Sequence, residues 1–353
     1  MASDEAHGIH LVQASEPRAQ LRRWLERGLL RREDRPALHL LEVAGTRLGE
    51  APAHFVLGAL PPQAPLEPLE EEPPLSPVPW VEPTPALAAD DHGAIRELLA
   101  ELAEAAPVSA QGSMDERRWR LLRVEAGANT RRLQALLDEG PLRPLAPLSA
   151  DAPHLAAVLP LSASGWRVRP IHRALQGLPT FNEDTFLQLV SAYARVFPLD
   201  NPLTRREGLA EARERLATVA TGYHAVLLVL PEGRGRLLRF RQGLDLGHIR
   251  AVPRNPTLRA LDLALLNALV LRTVLGLKDA EAPGHPHVFS VDAPLEQLVA
   301  QVASGVFQAG FALNPPPLWE VRAVMEAAAT LPPRTLRVEP LPPAGLLYLD
   351  PDL

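Results

Sequence analysis

The chain has 353 residues and no cysteine, and Lys278 is the one lysine among 36 basic residues. Disulfides, thiolate nucleophiles, zinc ribbons and iron–sulfur clusters are therefore excluded. A formal charge of −6 argues against a general nucleic-acid binder, which needs a basic excess to neutralise phosphates, while 46% hydrophobic residues supply the core for one or two domains.

The N-terminal stretch Met1 to His7 is acidic and lacks an apolar segment, so it does not read as a secretory signal, and a soluble cytoplasmic protein is expected. Ser15 and Pro17 open a short helix carrying Leu21, Leu25 and Leu29. Pro36 to Val43 and Ala53 to Leu60 read as two strands joined by a turn. Ten prolines between Pro61 and Pro85, with Glu70, Glu71 and Glu72 among them, make an extended acidic linker. Residues 1–60 are thus expected as a small N-terminal module, 61–88 as linker and 89–353 as the main domain; one continuous domain is the alternative.

Within the main domain, Asp91 caps a helix bearing Ile95, Leu98, Leu99 and Leu102. A strand over Trp119 to Val124, a helix from Thr130 to Leu137 and strands at Leu155 to Leu161 and Trp166 to Arg169 follow. Asn182 then caps an amphipathic helix expected to reach Phe197, and Thr204 to Glu207 is a capping box. Ala225 to Leu230 and Arg236 to Arg241 flank a Glu-Gly-Arg-Gly turn, the signature of a hairpin. Leu258 to Leu275 reads as one long buried helix closed by Gly276. Its Arg259, Asp262, Asn267 and Arg272 rule out a simple membrane span. Asp292 is expected to cap a helix ending at Gly305, followed by a strand over Val306 to Leu313, a helix over Pro317 to Ala329, and short strands at Leu336 to Val338 and Leu346 to Leu349. Interleaved helices and strands without a strict βαβ period, repeat or glycine-rich phosphate loop give α+β with mixed sheets.

Three segments carry a family resemblance: Gly165-Trp-Arg-Val-Arg-Pro170-Ile171-His172-Arg173 with Gly177 to Phe181, then Phe311-Ala-Leu-Asn314-Pro315, then Leu331-Pro-Pro-Arg334-Thr335 through Gly345-Leu346. In order and spacing they resemble the bacterial and archaeal domain of unknown function 1015 family. The resemblance implies an element similar to the ParB and sulfiredoxin superfamily, and nucleotide or phosphate chemistry for typical members. The family's adjacent histidine pair has no counterpart in Leu145 to His154 or Val124 to Arg131, its lysine position is Arg334, and a second lysine is replaced by Leu341. The resemblance therefore implies a degenerate member that holds an anionic small molecule, a nucleotide or phosphorylated metabolite, without robust turnover. An active phosphotransferase-type enzyme and a nucleic-acid-associated protein are the alternatives. The cofactor is left unknown.

Candidate site residues follow. His172, after a strand, is the candidate acid or base, with Arg173, Asn314, Arg334 and Thr335 as anion-binding groups. The competing readings are a turn whose side chains satisfy local backbone for His172 and Arg173, a helix cap for Asn314, and a surface ion pair for Arg334. His285 and His287 lack a third ligand, so no metal site is expected. Arginines from Arg18 to Arg35 and from Arg234 to Arg241 form two basic clusters, the first neutralised in part by Glu16, Glu26, Glu33 and Asp34.

Overall fold

The chain sorts into two units, residues 1–167 with 340–353 and residues 168–339, each holding one of the two large sheets. The structure is a computed structural model. It describes residues 26–27, 37–45, 50–60, 84–89, 93–114, 117–139, 142–144 and 154–343, apart from 180, 220, 221, 245, 248, 283 and 330. The helix expected after Ser15, the acidic linker up to Glu82, the Asp91 cap and the strand at Leu346 lie outside the described residues.

In the first unit, β1 (Ala37–Val43), β2 (Ala53–Leu60), β3 (Thr84–Ala88), β4 (Val108–Met114), β5 (Arg117–Glu125), β6 (Leu142–Pro144) and β7 (His154–Pro160) form a seven-stranded sheet in the order β4-β5-β1-β2-β7-β3-β6. All its pairs are antiparallel except β3 with β7. Alternation along the strands sends Leu40, Val56, Leu122 and Val158 to one face. There α1 (Ala94–Ala105) contributes Ile95, Leu98, Leu99 and Leu102 at helical spacing, and α2 (Ala128–Glu139) contributes Leu133. Glu42 on β1 sits opposite both His54 and Arg120, and its carboxylate takes two guanidinium hydrogen bonds of 2.8 Å from Arg120.

β1 and β2 are interior strands bonded to β5 and β7. The expected boundary at residue 60 is therefore corrected: both strands belong to the same sheet as elements beyond residue 89. β4 escaped the sequence reading because its residues are almost all exposed and show no apolar alternation.

The second unit contains β8 (Arg167–Pro170, from Val168 onward), β9 (His172–Leu175), α3 (Glu183–Val190), β10 (Ala194–Pro198), α4 (Arg206–Val219), β11 (Ala225–Val229), β12 (Gly235–Phe240), α5 (Pro256–Arg259), α6 (Asp262–Leu265), a π-helical stretch Leu266–Val274, β13 (Val288–Val291), α7 (Leu295–Ala303), β14 (Ala309–Leu313), α8 (Leu318–Glu326) and β15 (Leu336–Glu339). Six strands make an antiparallel sheet in the order β10-β12-β11-β14-β9-β13, and β8 pairs with β15. Both faces of β11 are buried. Ala225, Leu227 and Val229 meet α4 and α7, while Val226 and Leu228 meet α3 and the π-helical stretch. Substantial helices and strands in each unit make the protein α+β.

The β11–β12 hairpin forms as expected, closed at Pro231–Gly233 with Glu232 and Gly233 at φ 63° and 74°. Glycine suits that left-handed position, and a Cβ there would approach Thr204 Cγ2 to 2.8 Å. Three expected helices are corrected. Asn182 does cap α3, accepting from Thr185 N–H at 2.9 Å, but the helix ends at Val190, since Ala194–Pro198 is recruited as an edge strand by β12. Asp292 caps nothing: Pro294 starts α7, and the Asp292 carboxylate binds Arg169 and Arg337. The long helix over Leu258 to Leu275 is broken at Leu261, whose φ and ψ of −86° and 128° are extended. Among the described residues no helix is long and apolar enough to cross a membrane.

Candidate functional site

Residues 168–173, 311–315 and 331–335 of the three segments that carry the family resemblance all lie in the second unit. His172 is buried on β9, and its Nδ1 accepts the Leu313 N–H at 3.2 Å, which joins β9 to the end of β14. Burial, with Arg169 and Arg173 adding to it, pushes the His172 pKa down to about 4, so the imidazole is a neutral acceptor at pH 7. Arg173 is 2% exposed. Its Nη1 donates to the carbonyls of Ile171 and His172 at 3.0 and 3.2 Å, and its Nη2 to those of Pro333 and Arg334 at 3.0 and 3.2 Å. This guanidinium ties the 332–335 turn to β9. Arg334 itself is exposed with φ 53°.

Asn314 is not the cap of α8. Its Nδ2 donates to Leu216 O at 3.1 Å, and the helix starts instead behind Pro317. Thr335 is buried and its hydroxyl donates to Pro332 O. Asn314 and Thr335 both line a cleft of about 310 Å³, and neither His172 nor Arg173 does.

The cleft lies where the start of β11 and the end of β14 run side by side, Val226 facing Leu313. His224 enters from the residue before β11, Asp262 from the first turn of α6, Trp319 and Glu320 from α8, and Pro315 to Pro317 form the connection between β14 and α8. The helix break at Leu261 is what brings Asp262 here. Its carboxylate accepts the Ala225 N–H, and its Oδ1 lies 3.0 Å from His224 Nδ1. Bonds of this kind offset the lost continuity of the helix.

The Asp262 contact selects the His224 tautomer with hydrogen on Nδ1 and leaves Nε2 as the basic nitrogen. The hydrogen bond to Asp262 also raises the His224 pKa above the ordinary imidazole value, against the opposing effect of burial. Burial pushes Asp262 up, partly offset by the His224 hydrogen bond. Burial, and then the negative charge of Asp262, push Glu320 up to about 7. A carboxyl group with a pKa near 7 thus shares one cleft with an oriented His–Asp pair whose imidazole is raised above its ordinary value.

Glu320 also provides a stability test. Its folded pKa is raised, so the folded state binds more protons between about pH 4.5 and 7, and stability falls as pH rises through that window. Glu320→Gln is expected to unfold later in urea than the wild type at pH 8, by about 1–2 kcal/mol after allowance for solvent screening of a half-exposed group. The difference should vanish at pH 4.5. Equal stabilities at pH 8 would show that Glu320 is not strained in the folded state.

The remaining sequence candidates are occupied. His285 Nδ1 accepts from the N–H groups of His287 and Val288, and His287 Nδ1 lies 3.1 Å from Gln176 O. In the hairpin cluster, Arg239 stacks over Tyr223 and Phe197 at 4.6 and 5.0 Å from the ring centres, Arg241 donates twice to Ser191 O, and Arg234 pairs with Glu183. Among the described residues no three His, Asp or Glu side chains are grouped as metal ligands would be. His224 and Glu320 were not singled out by the sequence, and Asp262 was read as a polar interruption of a long helix. A histidine just before a buried strand and an acid in a helix's first turn carry no spacing signal.

No protein-family model and no curated protein matches the sequence. Solved structures with partial likeness include a free serine kinase in complex with AMP, at 13% identity over 80% of this chain and 97% of that one, with a TM-score of 0.33. A conserved hypothetical protein from Pyrococcus furiosus is 14% identical over 79% of this chain and 99% of its own, also with a TM-score of 0.33. Likeness of this degree assigns no residue a role.

Proposed function

We propose that the second unit binds a small molecule in the His224 cleft and acts on it by proton transfer, with His224 as the general base, Asp262 orienting it and Glu320 as the second acid–base group. The His224–Asp262 contact inside the cleft carries this reading. An imidazole whose Nδ1 is held by a carboxylate accepts a proton at Nε2 from a substrate O–H or N–H, and the nearby carboxylate stabilises the resulting imidazolium. Glu320 returns a proton to the departing or newly formed group. His172, in contrast, is proposed as a structural acceptor, because its neutral ring is already bonded to Leu313 N–H.

We further propose that the chain is a divergent member of the domain of unknown function 1015 family. The meeting of its three resembling segments through His172, Arg173 and the 332–335 turn supports that assignment. The first proposal is of an enzyme rather than an inert scaffold, since the cleft holds acid–base groups even though the family's histidine pair has no counterpart.

The test joins spectroscopy to turnover. In an NMR pH titration the His224 ring should titrate above 6.5, and Asp262→Asn should bring its midpoint down. For any small substrate the purified protein turns over, His224→Asn should lower kcat/KM by roughly 100-fold or more. Turnover retained in His224→Asn, or a His224 titration insensitive to Asp262→Asn, overturns the reading.

A further inference from the structure

The cleft's lining has an unbalanced charge. Among the described residues its lining includes two carboxylates, Asp262 and Glu320, and neither lysine nor arginine. Among those residues the imidazole of His224 is the one group able to carry positive charge, and that ring is committed to Asp262. Glu320 has no hydrogen-bond or ion-pair partner among the described residues and lies close enough to Asp262 to feel its charge. A half-buried carboxylate beside another carboxylate is poorly placed unless something of opposite charge joins it.

A second, independent observation concerns Trp319. It lines the same cleft yet is 66% exposed, the most exposed of the large apolar side chains among the described residues. An indole left in water at the wall of a polar cleft loses favourable burial in the free protein and regains it only when a ligand covers it. The face of an indole attracts organic cations, and within the same wall the protein already uses this chemistry: the Arg239 guanidinium lies 4.6 Å from the centre of the Tyr223 ring. A volume of about 310 Å³ is at the small end for ligand sites and admits a small amine rather than a peptide.

We infer that the cleft recognises a small organic ammonium ion, held by the Asp262 and Glu320 carboxylates against the Trp319 ring. This rests on the reading of the cleft as a ligand site and names the class of ligand. The positive charge of an ammonium group relieves the mutual repulsion of the carboxylates, and a protonated amine also donates charge-assisted hydrogen bonds to them. A free phosphate brought to the same place would face those carboxylates with no arginine or lysine among the described lining residues to hold it.

The experiment is a thermal-denaturation panel on the full chain at pH 8, where both the ligand amine and Glu320 are ionised. The probes are ethanolamine, tetramethylammonium chloride, inorganic phosphate and AMP, each matched for ionic strength with sodium chloride. Ethanolamine or tetramethylammonium at saturation is expected to raise the melting temperature by roughly 5 °C. Glu320→Gln should weaken that binding about tenfold or more, and Trp319→Ala should also reduce it. Both substitutions lie on the outward part of α8, and circular dichroism checks that each variant is folded. Amines without effect beyond sodium chloride, or a shift that persists in both variants, overturn the ammonium assignment. If phosphate or AMP instead gives a shift that Trp319→Ala or His224→Asn abolishes, the ammonium assignment falls while the cleft stands as a ligand site. If no probe gives a shift that depends on these residues, both readings fall.

Discussion

Replacing Arg173 by alanine is expected to cost about 3–5 kcal/mol of folding stability. The guanidinium is 2% exposed, and its two terminal nitrogens serve four backbone carbonyls, those of Ile171, His172, Pro333 and Arg334. Alanine would remove these four hydrogen bonds in a place where water has little access, and would add a cavity the size of the lost side chain. Lysine should not rescue the loss. Its three donors radiate from one atom and cannot span carbonyls on two separate segments as the planar fork does. Urea unfolding of Arg173→Ala and Arg173→Lys measures both effects. A loss below about 1 kcal/mol for alanine would mean that the 332–335 turn holds its place without Arg173.

Acid unfolding is the second expected result, and His172 sets its course. The folded pKa is about 4 against an ordinary 6.5, so the unfolded chain binds the extra proton between those values. The contribution of His172 is complete above about pH 6.5 and is lost as pH falls toward 4. It amounts to on the order of 3 kcal/mol for a ring 4% exposed. The groups around it set the direction: burial dominates, Arg169 and Arg173 add to it, and Asp292 opposes. His172→Gln keeps a neutral acceptor for the Leu313 N–H but removes the titration. Its stability should therefore fall by about 3 kcal/mol less than the wild type's between pH 7 and pH 4. Parallel losses in the two proteins would show that some other group governs acid unfolding.

These two residues also mark where the sequence was informative. Position after a strand and membership of a resembling segment singled out His172 and Arg173, and the structure brings them to Leu313 and the 332–335 turn. What the sequence could not carry was direction. A strand of four buried residues presents side chains to both faces of the sheet, so polar groups on β9 turn to backbone rather than to a cleft. Asn314 and Thr335 reach the cleft because they lie at its rim, where β14 ends and β15 begins.

The strands with clear alternation or continuous apolar runs were legible, as were the β11–β12 hairpin and the Asn182 cap. The breaks were not. Leu261 sits between two good helix-forming stretches, and local propensity gives no reason to interrupt them. The reason is tertiary: the Ala225 N–H at the start of β11 and the His224 ring both need an acceptor, and Asp262 reaches them only if the helix restarts there. The edge strand β10 has the same origin, since Ala194–Pro198 is extended by its pairing with β12 rather than by its own pattern.

The cleft draws His224, Asp262, Asn314, Glu320 and Thr335 from five places spread over more than a hundred residues, across a sheet in which β11 pairs with a strand some eighty positions later. Nearly all of the loop-closure entropy must be spent before these side chains meet. The site is therefore an outcome of late folding. A nascent chain ending before α8 has the histidine and the aspartate but no cleft to place them in, so any chemistry there begins only when the last third of the unit has docked.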